Sequence, residues 1–214
     1  MARRLVLVAL AVAILLGAAS AFASSLSVTS ARLTSFSGPT SVPMSTCTLG
    51  AEADSYVSNS ALQTNSNCGT AADLHVSAGL TDKRSFLRFD LGCVPSTAEV
   101  RSATLRLVLA TAPTSSRTYA AHRASASWAE GSITWNNQPG IGASSGTVAT
   151  STTSGVTLQW TVTSDVQAFV NGSETNNGWR IADSDESGIL SSLEGRFGSS
   201  EGTGGPQLEV VFYP

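Results

Sequence analysis

Polar and apolar residues alternate with a period of two in several short segments of this 214-residue chain, and this pattern limits the fold more than any other feature. In residues 84–91, Leu87, Phe89 and Leu91 are separated by Arg88 and Asp90. The same spacing occurs in three further segments, around Leu105, Leu107 and Leu109, around Leu158, Trp160 and Val162, and around Leu208, Val210 and Phe212. Successive side chains of a β-strand point to opposite faces, so each segment is predicted to be a strand with one face toward a core.

One segment departs from this pattern. Residues 164–172 begin with a capping serine, repeat apolar residues every three to four positions and end at Gly172, which predicts a helix of about two turns. Turns rich in Gly, Asn and Pro separate the other segments, and long helices do not alternate with the strands. The sequence therefore predicts an all-β fold, an antiparallel β-sandwich of jelly-roll-like type with one short helix.

The composition excludes one large class of function. Only 13% of residues are charged, the net charge is -3, and Lys83 is the single lysine, whereas 34 Ser and 23 Thr supply most polar side chains. Electrostatic binding of nucleic acid requires a dense Lys/Arg surface. We therefore expect no nucleic-acid partner.

The first 23 residues have the organisation of a secretory signal peptide. Arg3 and Arg4 precede an apolar stretch over residues 5–19, and Ala21-Phe22-Ala23 forms a small-x-small cleavage site. Fifteen helical residues span only about 22 Å, less than the roughly 30 Å of a bilayer core, which disfavours a membrane anchor. We expect a secreted protein with no membrane segment after cleavage, a Ser/Thr/Pro-rich arm over residues 24–46 and one domain over residues 47–214.

Three cysteines follow the leader, and two of them can pair in an oxidising compartment. Cys47 opens one strand-like segment and Cys93 closes another, whereas Cys68 lies in an Asn-rich loop. The favoured pairing is Cys47 with Cys93. The other two pairings and three free thiols remain open at the level of sequence.

Motifs for catalysis are weak. Residues 142–146 and 198–202 both fit G-x-S-x-G, but His75 and His122 lie upstream of them and no helix follows either motif, as a nucleophile elbow requires. The loop carboxylates show no spacing that distinguishes a general acid from a base. The sequence therefore predicts a protein that is not an enzyme.

Several longer segments resemble one known family. They are Ala53–Val57, Lys83–Leu91, Ser102–Leu105, Trp128–Pro139, Phe197–Glu201 and Pro206–Leu208. Their order is similar to that of DNRLRE domains, also classed as carbohydrate-binding module family 96, over about residues 50–213. The resemblance implies a non-catalytic β-sandwich module of secreted bacterial type, some members of which bind acidic polysaccharides. Cys68 stands where the family often has an aromatic residue before glycine.

Glycan binding needs an aromatic platform together with guanidinium or amide donors. Trp160 alternates with core residues, and the tryptophans of the Trp128–Pro139 segment are interpreted as structural. The predicted binding residues are therefore Trp179 and Arg180, together with Arg84 and Arg88, which lie on strands where arginines can gather on one face.

A calcium-loop pattern occurs in residues 183–194. Asp183, Asp185, Ser187 and Glu194 occupy positions 1, 3, 5 and 12 of such a loop, with Gly188 at position 6. The segment is more typical of a hydrophilic hairpin loop, because position 5 is Ser and the flanks have the pattern of strands and not of paired helices. A structural calcium ion on these four residues is one prediction, and a loop without a metal is the other.

Two hypotheses for function follow. In the first, the protein is a secreted module that binds polysaccharide, with acidic polysaccharide as one candidate. In the alternative, it is a structural or adhesive surface protein that self-assembles when the arm pairs with an open sheet edge of a neighbour.

Overall fold

The computed structural model describes residues 42–187 and 193–214. The predicted signal peptide, most of the predicted arm and the centre of the predicted calcium loop lie outside these residues. The strands and the helix are, in chain order, β1 (Ser45–Gly50), β2 (Ala53–Ser58), β3 (Asp73–Ala78), β4 (Lys83–Arg88), β5 (Glu99–Thr111), β6 (Thr118–Ala124), β7 (Ile141–Ala149), β8 (Thr157–Thr161), α1 (Thr163–Val170), β9 (Trp179–Asp183), β10 (Leu193–Gly198) and β11 (Gln207–Tyr213).

The strands form one antiparallel sheet of eleven strands, which curls into two layers. The first layer has the order β1-β11-β5-β8, and the second contains the other seven strands. The long strand β5 joins the layers, because its last residues pair with β10. The predicted antiparallel sandwich with one short helix is confirmed.

The main core lies between the layers and contains the apolar residues on which the strand predictions were based. Leu105, Leu107 and Leu109 of β5 are fully or almost fully buried, and Trp160 of β8 lies opposite Leu105. Val166 of α1 packs into the same core. The helix is also tied to β5, because the Gln167 side chain accepts a hydrogen bond from the Val100 amide at 2.7 Å.

A second, smaller core lies on part of the outer face of the second layer. Strand β4 is buried on both faces, with Leu87 in the main core and Phe86 in the second core. Residues 125–140, which connect β6 to β7 and are called the cover loop here, place Trp128 and Ile133 on Phe86. The long Trp-rich motif of the sequence therefore packs largely on an apolar part of the sheet and shields it from solvent.

A disulfide bond joins Cys47 to Cys93, as predicted, and Cys68 is a free thiol. The bridge fastens β1 to the connection between β4 and β5. No helix in the described part of the chain is long and apolar enough to span a bilayer.

Candidate carbohydrate-binding face

Three of the four predicted binding residues lie on one face of the second layer. Arg84 and Arg88 flank Phe86 on β4, two residues away on either side, and Arg180 of β9 lies directly opposite Phe86. His122 of β6 lies opposite Arg180 in turn. Directly opposed residues of neighbouring antiparallel strands share a face of the sheet. We call the outer surface that carries Arg84, Arg88 and Arg180 the arginine face.

Arg84 is held in place on this face by several contacts. Its guanidinium donates two hydrogen bonds to the Glu186 carboxylate, at 2.7 Å from Nε and 2.5 Å from Nη2, and a third to Gln138 Oε1 at 3.1 Å. The guanidinium carbon also lies 4.2 Å from the ring centroid of Trp135, which is a cation–π arrangement. The cover loop therefore fixes Arg84 from one side, and Glu186 neutralises its charge.

Arg88 has a structural position at the edge of the face. Its Nη1 donates to the Trp128 carbonyl oxygen at 3.0 Å, and its Nε donates to Glu52 Oε2 at 3.1 Å. The guanidinium carbon lies 5.4 Å from the Trp128 ring centroid. Arg88 thus fastens the beginning of the cover loop to β4.

Arg180 differs from every other described cation. Lys83 and seven arginines form ion pairs within the described ranges, whereas Arg180 forms none there. Its Nε is buried and has no hydrogen-bond partner among the described residues. Burial lowers the pKa of Arg180, the nearby Arg84 lowers it further, and Glu186 partly offsets both effects. Arg84, Arg180 and Glu186 together carry one net positive charge, and Arg180 pairs with no described carboxylate.

The structure corrects the prediction that Trp179 is an exposed stacking platform. Trp179 is 1% exposed, and its ring meets the rings of Phe89 and Phe169 edge to face in the main core. Its Nε1 donates to Asp165 Oδ2 at 2.8 Å. Successive side chains of β9 point to opposite faces of the sheet. Trp179 and Ile181 therefore point into the main core, and Arg180 between them points outward.

Two aromatic residues of the cover loop, which were predicted to be structural and pack on the second core, also lie beside the arginines. Trp135 is half-buried against Arg84, and Trp128 is buried beneath Arg88. The sequence contained no direct signal for these contacts, because residue 135 and residue 84 are 51 positions apart. Only the folding of the cover loop across β4 brings them together.

The described members of the predicted calcium loop have separate partners. Asp183 is 5% exposed and receives two hydrogen bonds from Arg117, at 2.7 and 3.0 Å. Asp185 accepts hydrogen bonds from the Ser187 hydroxyl and amide, which lower its pKa. Residues 188–192 lie outside the described residues, so calcium in this loop stays a prediction.

Glu194, the last residue of that predicted set, belongs to a different cluster. Lys83 Nζ donates to it at 2.6 Å, Arg196 Nε donates at 2.6 Å, and His75 Nδ1 lies 3.1 Å away. Burial alone would raise the pKa of Glu194, but hydrogen bonds from His75, Lys83 and Arg196 outweigh burial and hold the pKa far below its ordinary value. These contacts serve the packing of β3, β4 and β10.

Comparison with known proteins gives one family. The model of carbohydrate-binding module family 96 matches residues 45–212. No curated protein matches the sequence. The family match begins at the first residue of β1 and ends one residue before the end of β11, so it covers nearly all of the described sandwich.

Proposed function

The chain belongs to carbohydrate-binding module family 96, and from this premise we propose that it is a secreted, non-catalytic module that binds an acidic polysaccharide on the arginine face. Binding of carbohydrate follows from the family. The acidic character of the ligand is supported by a single observation, the unneutralised charge of Arg180 beside the fixed guanidinium of Arg84.

A planar guanidinium recognises a carboxylate with two parallel N–H···O bonds, and this geometry suits the carboxylate of a uronic acid unit. Arg180 has donors to offer, since it forms no ion pair among the described residues. Arg84 and the ring of Trp135 border the position and are already held in place. A pre-ordered site loses less side-chain entropy when a ligand binds.

Secretion is supported by the predicted signal peptide over residues 1–23 and by the disulfide bond, which is typical of oxidising compartments. A non-catalytic role is supported by the family, whose description is that of a binding module.

Affinity electrophoresis in gels that contain either a polyuronate or an uncharged glucan tests this function. We expect retardation by the polyuronate only, and weaker retardation at high salt because ions screen the attraction. Charge-assisted hydrogen bonds contribute about 1.5–3 kcal/mol each, so Arg180→Gln should weaken binding by about tenfold or more.

Arg101→Gln is the matched control. Arg101 lies on β5 in the first layer, where it pairs with Glu99 and lies 5.6 Å from the ring centroid of Tyr213, much as Arg84 pairs with Glu186 and lies over Trp135. The control should bind as tightly as the unmodified protein. Equal loss of affinity in both variants, or equal binding of the glucan and the polyuronate, would contradict the proposed site.

A second candidate function is self-assembly. Strand β1 is the edge strand of the first layer, and Val42 and Met44 ahead of it are 58% and 59% exposed. An unpaired edge can accept a strand from another molecule. If the predicted arm over residues 24–46 supplies that strand, deletion of residues 24–44 should convert oligomers to monomers in size-exclusion chromatography. A monomer at all concentrations before deletion would contradict assembly.

A further inference from the structure

Three carboxylates from distant segments meet at one end of the second layer. Asp54 lies in β2, Glu130 in the cover loop and Glu201 in the connection between β10 and β11. One carboxylate oxygen from each residue lies within 4.8 Å of those of the other two. This group is distinct from the arginine face and shares no residue with the predicted calcium loop.

None of the three carboxylates forms an ion pair within the described ranges. Most of the other described acidic residues do form one. Mutual repulsion of three such charged groups is unfavourable unless a cation lies between them or one of them takes up a proton. No described lysine or arginine therefore neutralises the negative charge of this cluster.

Asp54 shows the deficit most clearly. The residue is 1% exposed, so bulk water does not solvate its carboxylate. Its Oδ2 accepts a hydrogen bond from the Ser200 amide at 2.8 Å, whereas its Oδ1 has no partner among the described residues. A buried carboxylate oxygen without a partner is costly, and its place is normally taken by a donor or a metal ion.

The backbone around the cluster is fixed by the loop of residues 67–72. Asn67 Nδ2 donates to the Glu130 carbonyl oxygen at 2.6 Å, and Ser199 Oγ donates to the Ala71 carbonyl oxygen at 2.6 Å. The approach is so close at Gly69 that a Cβ there would lie 2.4 Å from the Glu130 carbonyl oxygen. One loop thus holds both the Glu130 segment and the Glu201 segment in position.

We propose that Asp54, Glu130 and Glu201 bind a calcium ion that ties β2, the cover loop and the β10–β11 connection together. Calcium prefers six to eight oxygen ligands at about 2.3–2.6 Å. Two oxygens on one such ion are at most about 5.2 Å apart, so carboxylate oxygens within 4.8 Å of one another suit a shared ion. Water and further protein oxygens complete the coordination.

The test uses the protein purified in chelator and titrated with calcium chloride. Calorimetry should show one site with a dissociation constant of roughly 10⁻⁴ to 10⁻³ M, the range of extracellular calcium modules. At about 10 mM calcium the melting temperature should rise by about 3 °C or more. Terbium should replace calcium and emit when tryptophan is excited, since Trp128 lies two residues from Glu130.

Asp54→Asn should lower the calcium affinity at least tenfold and abolish the rise in melting temperature. Glu201→Gln provides a second variant at an exposed residue, where the substitution leaves folding intact and should weaken binding in the same direction. The control is Asp185→Asn, which removes a carboxylate of the other predicted calcium loop and should change nothing.

Three results would overturn the site. One is the absence of calcium binding up to about 10 mM, ten times the weakest dissociation constant of extracellular modules. Another is binding that persists unchanged in Asp54→Asn and Glu201→Gln. The third is binding that Asp185→Asn removes, which would assign the ion to residues 183–194 instead. Each result leaves the test of polysaccharide binding unaffected, because that test concerns Arg180.

Discussion

Charge neutralisation separates the residues that hold this fold together from those that remain able to bind. Arg117 and Asp183 neutralise each other at the end of β9, and Glu194 is surrounded by Lys83, Arg196 and His75. Arg180 has no such partner among the described residues. The same criterion distinguishes the Asp54 cluster from the ion pairs of the sheet surface.

The Glu194 cluster predicts a specific response to acid. A carboxylate whose pKa is lower in the folded state than the ordinary value of 4.5 favours folding above that value. This contribution is lost as the pH falls from about 5 toward the lower pKa of the folded state. Glu194→Gln should therefore show a smaller loss of stability between about pH 5 and pH 2 than the unmodified protein, as measured by urea unfolding.

Glu99→Gln is the comparison for that experiment, because Glu99 is 66% exposed and paired only with Arg101. An exposed pair contributes little, so this variant should keep the acid response of the unmodified protein. An unchanged response in Glu194→Gln would show that its hydrogen bonds do not stabilise the charged carboxylate.

At the scale of elements, β4 organises the molecule because both of its faces are buried. Leu87 joins the main core, Phe86 joins the second core, and the arginines on either side of Phe86 extend onto the outer surface. The strand also pairs with both β2 and β9. The position of Arg180 therefore depends on how closely β9 approaches β4.

That approach depends on Gly178, which has a φ of 72° just before β9. A Cβ at this position would lie 1.9 Å from the Leu87 carbonyl oxygen. Gly178→Ala should therefore lower the free energy of unfolding by about 2 kcal/mol or more, from the left-handed backbone and the clash together. Gly131→Ala, where nothing lies within 4 Å of the added atom, should change the free energy by about 1 kcal/mol or less. Equal effects in urea unfolding would contradict this role of Gly178.

The elements could be predicted from the sequence much better than their partners. Alternation identified β4, β5, β8 and β11 and the core side of each, and the spacing of apolar residues identified α1, because these signals are local. The pairing of β5 with β8, β10 and β11 depends on contacts between distant segments, which no local pattern encodes. The motif around Trp128 was visible, but its position on Phe86 was not.

The same distinction applies to the site. Arg84 and Arg88 were predicted from their place on strands and Arg180 from its position next to Trp179, and the structure places the three arginines on one face. The prediction for Trp179 was wrong. Its alternation with Arg180 could have placed it in the core, as the same kind of pattern did for Trp160. Asp54, Glu130 and Glu201 were not predicted as a group, because each belongs to a different segment.

At the scale of the whole molecule, the two layers differ in what their outer faces carry. The first layer is tied by the disulfide bond at β1 and presents Arg106 paired bidentately with Glu209. The second layer carries the cover loop, the arginine face and the carboxylate cluster. We therefore propose that ligands bind to the second layer and that the first layer serves as a scaffold.

The most direct measurement of that assignment is an NMR titration of the ¹⁵N-labelled protein with a short uronic acid oligosaccharide. If acidic polysaccharide binds to the arginine face, the largest shifts should occur at the amides of residues 84–88 and 179–182 and at the indole N–H of Trp135. An uncharged glucan oligosaccharide should leave these signals unchanged. Shifts confined to the first layer around Arg106, or no shifts at millimolar oligosaccharide, would contradict the claim that the arginine face binds acidic polysaccharide.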